Sequence, residues 1–225
     1  MMTVNIPAIT VDGPSGSGKG TISRLLAQHL GWHYLDSGAI YRVLAHAAEL
    51  EGISLSDIPR LCELAKQLNV EFSIHGSEQR VLLNKVDVTD ALITERCGSA
   101  ASAIAADPNI RAALLQRQRD FRQMPGLVTD GRDMGTVVFP DASLKIFLDA
   151  SLQERSDRRY KQLKNKGINA NLKSVESEVS ARDKRDRERE ISPLVPADDA
   201  IRIDTTDLTV GEVLEKIEGL VDIRL

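Results

Sequence analysis

The chain has 225 residues, 42% of them hydrophobic and only 4% aromatic, enough for one substantial, largely aliphatic core of the parallel-sheet α/β kind plus a small appended lobe. Its 29 basic and 33 acidic residues leave a net charge of −4, which weighs against non-specific nucleic-acid binding but leaves room for a local arginine cluster to hold a small anion. Cys62 and Cys97 lack close pairing and metal-like spacing and read as reduced thiols, and His29, His33, His46 and His75 show no ligand spacing. No segment approaches the roughly 20 apolar residues of a membrane span, and residues 1–5 lack a basic region leading into a long apolar stretch. The expected location is the cytoplasm, with no membrane or nucleic-acid partner.

The first element is a buried strand at Ala8-Ile9-Thr10-Val11, too short and too β-branched for a helix. A glycine-rich loop follows, then a helix with Ile22, Leu25, Leu26 and Leu30 on one face and Gly31 placed to end it. Tyr34-Leu35-Asp36 reads as a second strand; Ser37 is expected to cap a helix bearing Ile40, Val43, Leu44 and Ala47, ended by Gly52. The middle changes idiom. Val70 to His75 alternates, Gly76-Ser77-Glu78 reads as a turn, Arg80 to Leu83 follows, and Val86-Asp87-Val88 supplies a third short strand, so residues of about 60–92 are expected to form an antiparallel insert. A helical stretch over about 94–123 breaks at Asp107-Pro108. Strands then return at Leu127 to Asp130, Leu144 to Asp149 and Ala200 to Asp204; the polar stretch 153–190 between the last two reads as two helices around Lys164-Asn165-Lys166-Gly167. A last helix covers about 210–221, with Thr209 as its cap. Alternating strands and helices predict a parallel, doubly wound sheet of α/β class.

The run Gly13-Pro14-Ser15-Gly16-Ser17-Gly18-Lys19-Gly20-Thr21 lies between the first strand and the first helix. Such a loop aims backbone N–H groups and about half a positive charge from the helix end at one spot, and its glycines let phosphate oxygens approach. Lys19 sits where it reaches the β- and γ-phosphates. The usual Ser or Thr directly after that lysine is Gly20, with a hydroxyl one place later at Thr21, the one candidate metal ligand. Asn84-Lys85-Val86-Asp87 superficially matches a guanine-reading motif, but no D-x-x-G lies between it and the phosphate loop, and Asn-Lys is a natural turn pair.

The form G-x-x-G-x-G-K-G-T resembles the nucleoside monophosphate kinases. With Leu35-Asp36-Ser37-Gly38-Ala39-Ile40-Tyr41-Arg42, Asp130-Gly131-Arg132-Asp133-Met134-Gly135-Thr136-Val137-Val138 and Arg182-Asp183-Lys184-Arg185-Asp186-Arg187, the chain resembles the bacterial cytidylate kinases over essentially its whole length. The resemblance implies a P-loop three-layer α/β fold with a central parallel, five-stranded sheet, an inserted monophosphate-binding lobe and a short lid. The corresponding division is core at 1–37, 127–154 and 191–225, acceptor lobe at 38–126 including the insert, and lid with flanking helices at 155–190. It implies transfer of the γ-phosphoryl group of ATP to CMP or dCMP with Mg²⁺, by a monomer serving pyrimidine metabolism. It also implies Lys19, Arg132 and Arg189 as catalytic residues. Residues 13–21, that is Gly13, Pro14, Ser15, Gly16, Ser17, Gly18, Lys19, Gly20 and Thr21, would hold ATP. Arg42, Arg132 and Arg189 would meet the acceptor phosphate; Asp133, Ser102 and Arg111 the cytosine; Ser37, Arg182 and Asp186 the sugar; Tyr41 belongs to the same site. Arg155, Arg158 and Arg159 are lid candidates for the ATP phosphates. The competing readings are a UMP/CMP- or AMP-type kinase and a non-enzymatic ATP-binding switch.

Overall fold

The computed structural model describes residues 6–75, 78–165 and 167–224, and at residues 74, 75, 78 and 79 the backbone alone. The expected turn residues Gly76 and Ser77, and Lys166 in the polar stretch, lie outside the described residues. Strand β1 (Ala8–Asp12) is buried along its whole length between β6 (Leu127–Gly131) and β7 (Leu144–Asp149), which explains why all three carry near-continuous apolar runs. With β2 (His33–Asp36) beyond β6 and β8 (Ile201–Asp204) beyond β7, the sheet has five strands, all parallel, in the order β2-β6-β1-β7-β8.

Successive β1 side chains go to opposite faces. Ile9 and Val11, with Val128, Ile146 and Leu148, pack on α1 (Lys19–Leu30) and α9 (Val210–Arg224) through Ile22, Leu26, Val213 and Ile217. Ala8, Leu35 and Leu127 face α2 (Ser37–Leu50). That second cluster runs on into α3 (Ile58–Gln67), α5 (Glu95–Ile104) and α6 (Pro108–Arg119), and into a three-stranded antiparallel sheet of β3 (Val70–His75), β4 (Glu78–Leu83) and β5 (Val86–Asp87). Asn84 and Lys85, at φ of 51° and 67°, form the two-residue turn between β4 and β5, so the guanine-motif look-alike is hairpin chemistry.

Most expected helix ends are found. Gly31 ends α1 at φ 65°, and Thr94 and Asp107 cap α5 and α6. Thr209 and Glu212 bond each other's backbone N–H in a capping box before α9. One cap differs: Asp36, not Ser37, caps α2, because the Asp36 carboxylate accepts from Ala39 N at 2.9 Å while its backbone is still extended. Three elements were not anticipated: α3, the short α4 (Thr89–Leu92) and a π-helical segment at Met134–Val138. In the polar stretch, α7 (Leu152–Asn165) and α8 (Leu172–Glu188) pack on each other through Leu163, Val175 and Val179.

Candidate active site

The phosphate loop crosses from β1 to α1 with Gly13, Gly16 and Gly18 at φ of 155°, 79° and 89°. A Cβ at Gly13 would lie 2.1 Å from Leu148 O, and one at Gly16 2.7 Å from Arg155 O, so backbone approach as well as φ requires glycine there. No side chain caps α1 and its first turn carries no acid, leaving the helix N-terminus to an outside anion. Lys19, the first helical residue, folds its ammonium back over the loop and donates to Pro14 O at 2.9 Å.

Ser15, Gly16, Gly18, Lys19, Gly20 and Thr21 line a cavity of about 310 Å³ at the carboxyl ends of β1, β2 and β6, where ligands of α/β sheets bind. Gly13, Pro14 and Ser17 shape the loop from outside that cavity. Ser37, Tyr41, Arg42, Ser102 and Arg111 enter it from α2, α5 and α6. Arg132 and Asp133 enter from the end of β6, and Arg182, Asp186 and Arg189 from α8 and its C-terminal edge. Residues from six segments thus converge, and every expected acceptor-side residue is among them.

The arginines are held by acids and by one another's surroundings. Asp186 accepts from Arg132 Nε at 2.6 Å, Asp133 pairs with Arg111, and Arg189 Nη2 lies 3.8 Å from Asp133 Oδ1. Arg111 also donates to Ala105 O at 3.1 Å and stacks its guanidinium over the Tyr41 ring. Arg42 Nε and Arg182 Nε are buried with no hydrogen-bond partner among the described residues. Burial, with Arg132 and Arg42 adding like charge, pulls Arg182 down to about 9. Burial and Arg132 likewise push the Lys19 ammonium well below its ordinary range, while burial and Asp36 push the Asp130 carboxyl up. Against burial, which acts upward, Arg132 and Arg182 keep Asp186 below the usual carboxylate range. Burial thus weakens the charge of Lys19 and Arg182, whereas Arg132 and Arg111, each paired with an acid, are held above the usual guanidinium range.

The lid candidates divide three ways. Arg159 lines the cavity and pairs with Glu95 of α5. Arg158 does not line the cavity but lies beside Gly18 of the loop, donating to Thr205 Oγ1 at 3.0 Å and Thr205 O at 2.6 Å and pairing with Glu154. Arg155 does not reach the cavity at all. It is buried, donating to Ala150 O at 2.9 Å and Ser15 O at 3.0 Å and pairing with Asp183, so the loop backbone and an acid already occupy its donors. Cavity residues given no role of their own from the sequence include Arg24, Tyr34, Asp36, Asp130 and Gln162. Tyr34 donates to Asp130 Oδ2 at 2.6 Å across 96 positions, a relation no local pattern shows.

A five-stranded parallel sheet with this loop, and a cavity joining it to an arginine-lined wall, defines a P-loop kinase. The family description "Cytidylate kinase" matches residues 9–222. A cytidylate kinase of Nitrosococcus oceani is 59% identical over 96% of this chain and 96% of its own. One from Aeromonas salmonicida is 54% identical over 94% and 92%, and one from Pseudomonas fluorescens 54% over 99% and 98%. The chain belongs to the cytidylate kinase family.

Proposed function

We propose that this protein transfers the γ-phosphoryl group of ATP to CMP or dCMP, giving ADP and CDP or dCDP. The observation that carries the reading is the single cavity in which the phosphate loop faces Arg42, Arg132, Arg182 and Arg189. Two polyanions meet only where their charge is neutralised, and arginine forks do that bidentately without losing charge. In the transfer, an acceptor-phosphate oxygen forms a bond to Pγ as the bond from Pγ to the β–γ bridging oxygen breaks, and ADP leaves with that electron pair. Protein does little covalent work here; positioning and charge stabilisation carry the rate.

Lys19 and the N-terminus of α1 hold the donor phosphates, with Arg159 exchanging Glu95 for them. Arg132, fixed at Nε by Asp186, meets the acceptor phosphate with Arg42 and Arg189. Asp133, held by Arg111, meets the cytosine amine with Ser102 beside it; uracil would set its O4 against a carboxylate. Ser37, Arg182 and Asp186 meet the sugar. Elements α2 to α6 with β3–β5 form the acceptor lobe, and α7 and α8 the lid. Thr21, Asp36 and Asp130 line the cavity together, a hard-oxygen donor set of the kind Mg²⁺ takes, and would hold it beside the ATP phosphates. Bound there, the ion would neutralise charge on the transferring group. No described helix is long and apolar enough to cross a membrane; a cytoplasmic monomer is the working form we infer from the family.

A coupled assay of ADP release with CMP, dCMP, UMP and AMP in parallel tests the reading. CMP and dCMP should stimulate turnover far above the acceptor-free rate. No stimulation by either refutes it.

A further inference from the structure

Ser37, the first residue of α2, donates its hydroxyl proton to Gln118 Oε1 at 2.7 Å. Ser37 lines the cavity, whereas Gln118 lies behind it in α6 and does not. Gln118 is only 1% exposed, and it continues a stripe with Ile110 and Leu114, each fully buried and spaced by four residues on one helix face. At the end of that apolar stripe a leucine would pack at no polar cost, while a buried amide is unfavourable unless its hydrogen bonds are made. The bond to Ser37 is one return that Gln118 obtains, and its amide also acts on the Tyr41 hydroxyl.

The consequence is a fixed polarity. A hydroxyl has one proton and two lone pairs. With the proton committed to Gln118, Ser37 turns only lone pairs toward the cavity and acts there as an acceptor. We propose that Gln118 is a positioning residue for acceptor selection: it locks Ser37 as a hydrogen-bond acceptor, so that Ser37 favours a nucleotide presenting a donor at that point and disfavours one presenting an oxygen acceptor. This inference rests on the reading of the cavity as a CMP or dCMP site. In that reading Ser37 meets the sugar, and a sugar hydroxyl has the required donor chemistry. An apolar residue at 118 releases the Ser37 proton, which can then rotate into the cavity and make Ser37 indifferent to the polarity of its partner.

The test is kcat/KM for CMP, 2′-deoxy-CMP, 3′-deoxy-CMP and UMP, measured in the wild type, Gln118→Met, Gln118→Leu, Gln118→Glu, Ser37→Ala and Ser37→Ala/Gln118→Met. Gln118→Met and Gln118→Leu should lose about 10-fold with CMP, the scale of one hydrogen bond, with KM for ATP changed by less than about 2-fold. The ratio of CMP to the deoxy-CMP that lacks the partner hydroxyl should fall, while the CMP/UMP ratio, set by Asp133, should hold. Gln118→Glu keeps an acceptor oxygen and should keep the wild-type ratios. In the Ser37→Ala background the Gln118→Met change should move neither ratio further, because it acts through Ser37. A residue that merely packs would cost the same with every acceptor and in both backgrounds. Unchanged CMP/deoxy-CMP ratios in the apolar variants, a collapsed ratio in Gln118→Glu, or an equal further shift in the Ser37→Ala background overturns the inference. Wild-type protein without CMP-dependent turnover refutes the kinase reading instead, so the two failures are distinguishable.

Discussion

Arg155 and Asp183 meet in a buried ion pair, Nη1 to Oδ2 at 2.6 Å, between the phosphate loop and the helix that carries Arg182 and Asp186. The same guanidinium donates to Ser15 O in the loop and Ala150 O just past β7. One side chain therefore holds the phosphate loop, the carboxyl end of β7 and α8 in register. Arg155→Met leaves Asp183 buried without its cation, a change that costs about 3–5 kcal/mol. Urea unfolding should show that loss, and the double variant Arg155→Met/Asp183→Leu should recover part of it. KM for ATP should rise more than KM for CMP, because Ser15 loses its anchor directly. A loss within about 0.5 kcal/mol, typical of a surface substitution, would show that the pair holds nothing.

The same arginine shows where reading the chain stops. Arg155 and Arg159 sit four apart on one helix, and residue type and spacing give them one role. The structure buries the first against the loop and opens the second to the cavity, a difference set by β7 and α8 rather than by neighbours in sequence. The parallel strands were legible because burial on both faces leaves continuous apolar runs, and helix ends because Thr94, Asp107, Thr209 and Gly31 act on adjacent backbone. The short α3 carried its own signals, Asp57 as cap and Pro59 in the first turn, but lay beside a meander that dominated the pattern. The π-helical turn after Arg132 was not legible. Its opening N–H groups, Met134 N and Gly135 N, bond the two oxygens of Asp12, more than 120 positions away. Tyr34–Asp130 and Ser37–Gln118 are hidden for the same reason. The residues expected on the acceptor side came from resemblance alone, since Arg42 and Arg111 look like ordinary helix-surface arginines until α2 and α6 are packed around the cavity.

Asp133 should separate acceptor recognition from donor binding. Its two oxygens face Arg111 and Arg189, the first in a close ion pair and the second at 3.8 Å. Asp133→Ala removes the group proposed to meet the cytosine amine and takes a carboxylate from two buried guanidinia. Discrimination by a matched polar contact reaches about 10⁴-fold, so a loss of at least about 100-fold in kcat/KM for CMP is expected. ATP affinity, measured without acceptor, should stay within about 3-fold. Equal losses for both nucleotides would assign Asp133 to the framework.

Asp12 gives the stability profile a defined pH window. Burial raises its carboxyl to about 6, although the N–H groups of Met134 and Gly135 bond it and act in the opposite direction. A folded-state value above the unfolded value means that the native protein binds the proton more tightly. The contribution is fully present below the unfolded value of 3.8 and is lost as pH rises through about 6. Wild type should therefore gain stability relative to Asp12→Asn as pH falls from about 6 to 4, by up to about 3 kcal/mol for a shift of this size. Denaturant unfolding of the pair at several pH values measures it. A constant difference between the two proteins across that range would show that Asp12 titrates normally.

Gly16 and Gly31 share a positive φ, 79° and 65°, but differ in what surrounds them. A Cβ at Gly31 meets nothing within 4 Å, whereas one at Gly16 lies 2.7 Å from Arg155 O and 2.9 Å from Arg155 Cβ. Gly31→Ala should therefore cost only the left-handed backbone penalty, about 1–2 kcal/mol of stability, with kinetics unchanged. Gly16→Ala adds a clash with backbone that cannot rotate aside, and the loop must move away from Arg155. Displacement of a positioning group by about 1 Å costs on the order of 100-fold, so kcat/KM for ATP should fall by that factor. The comparison isolates loop geometry from glycine strain, because both variants carry the strain and only one moves the phosphate cradle. Matching kinetic losses in the two variants would mean that strain alone, and not the contact with Arg155, sets the shape of the loop.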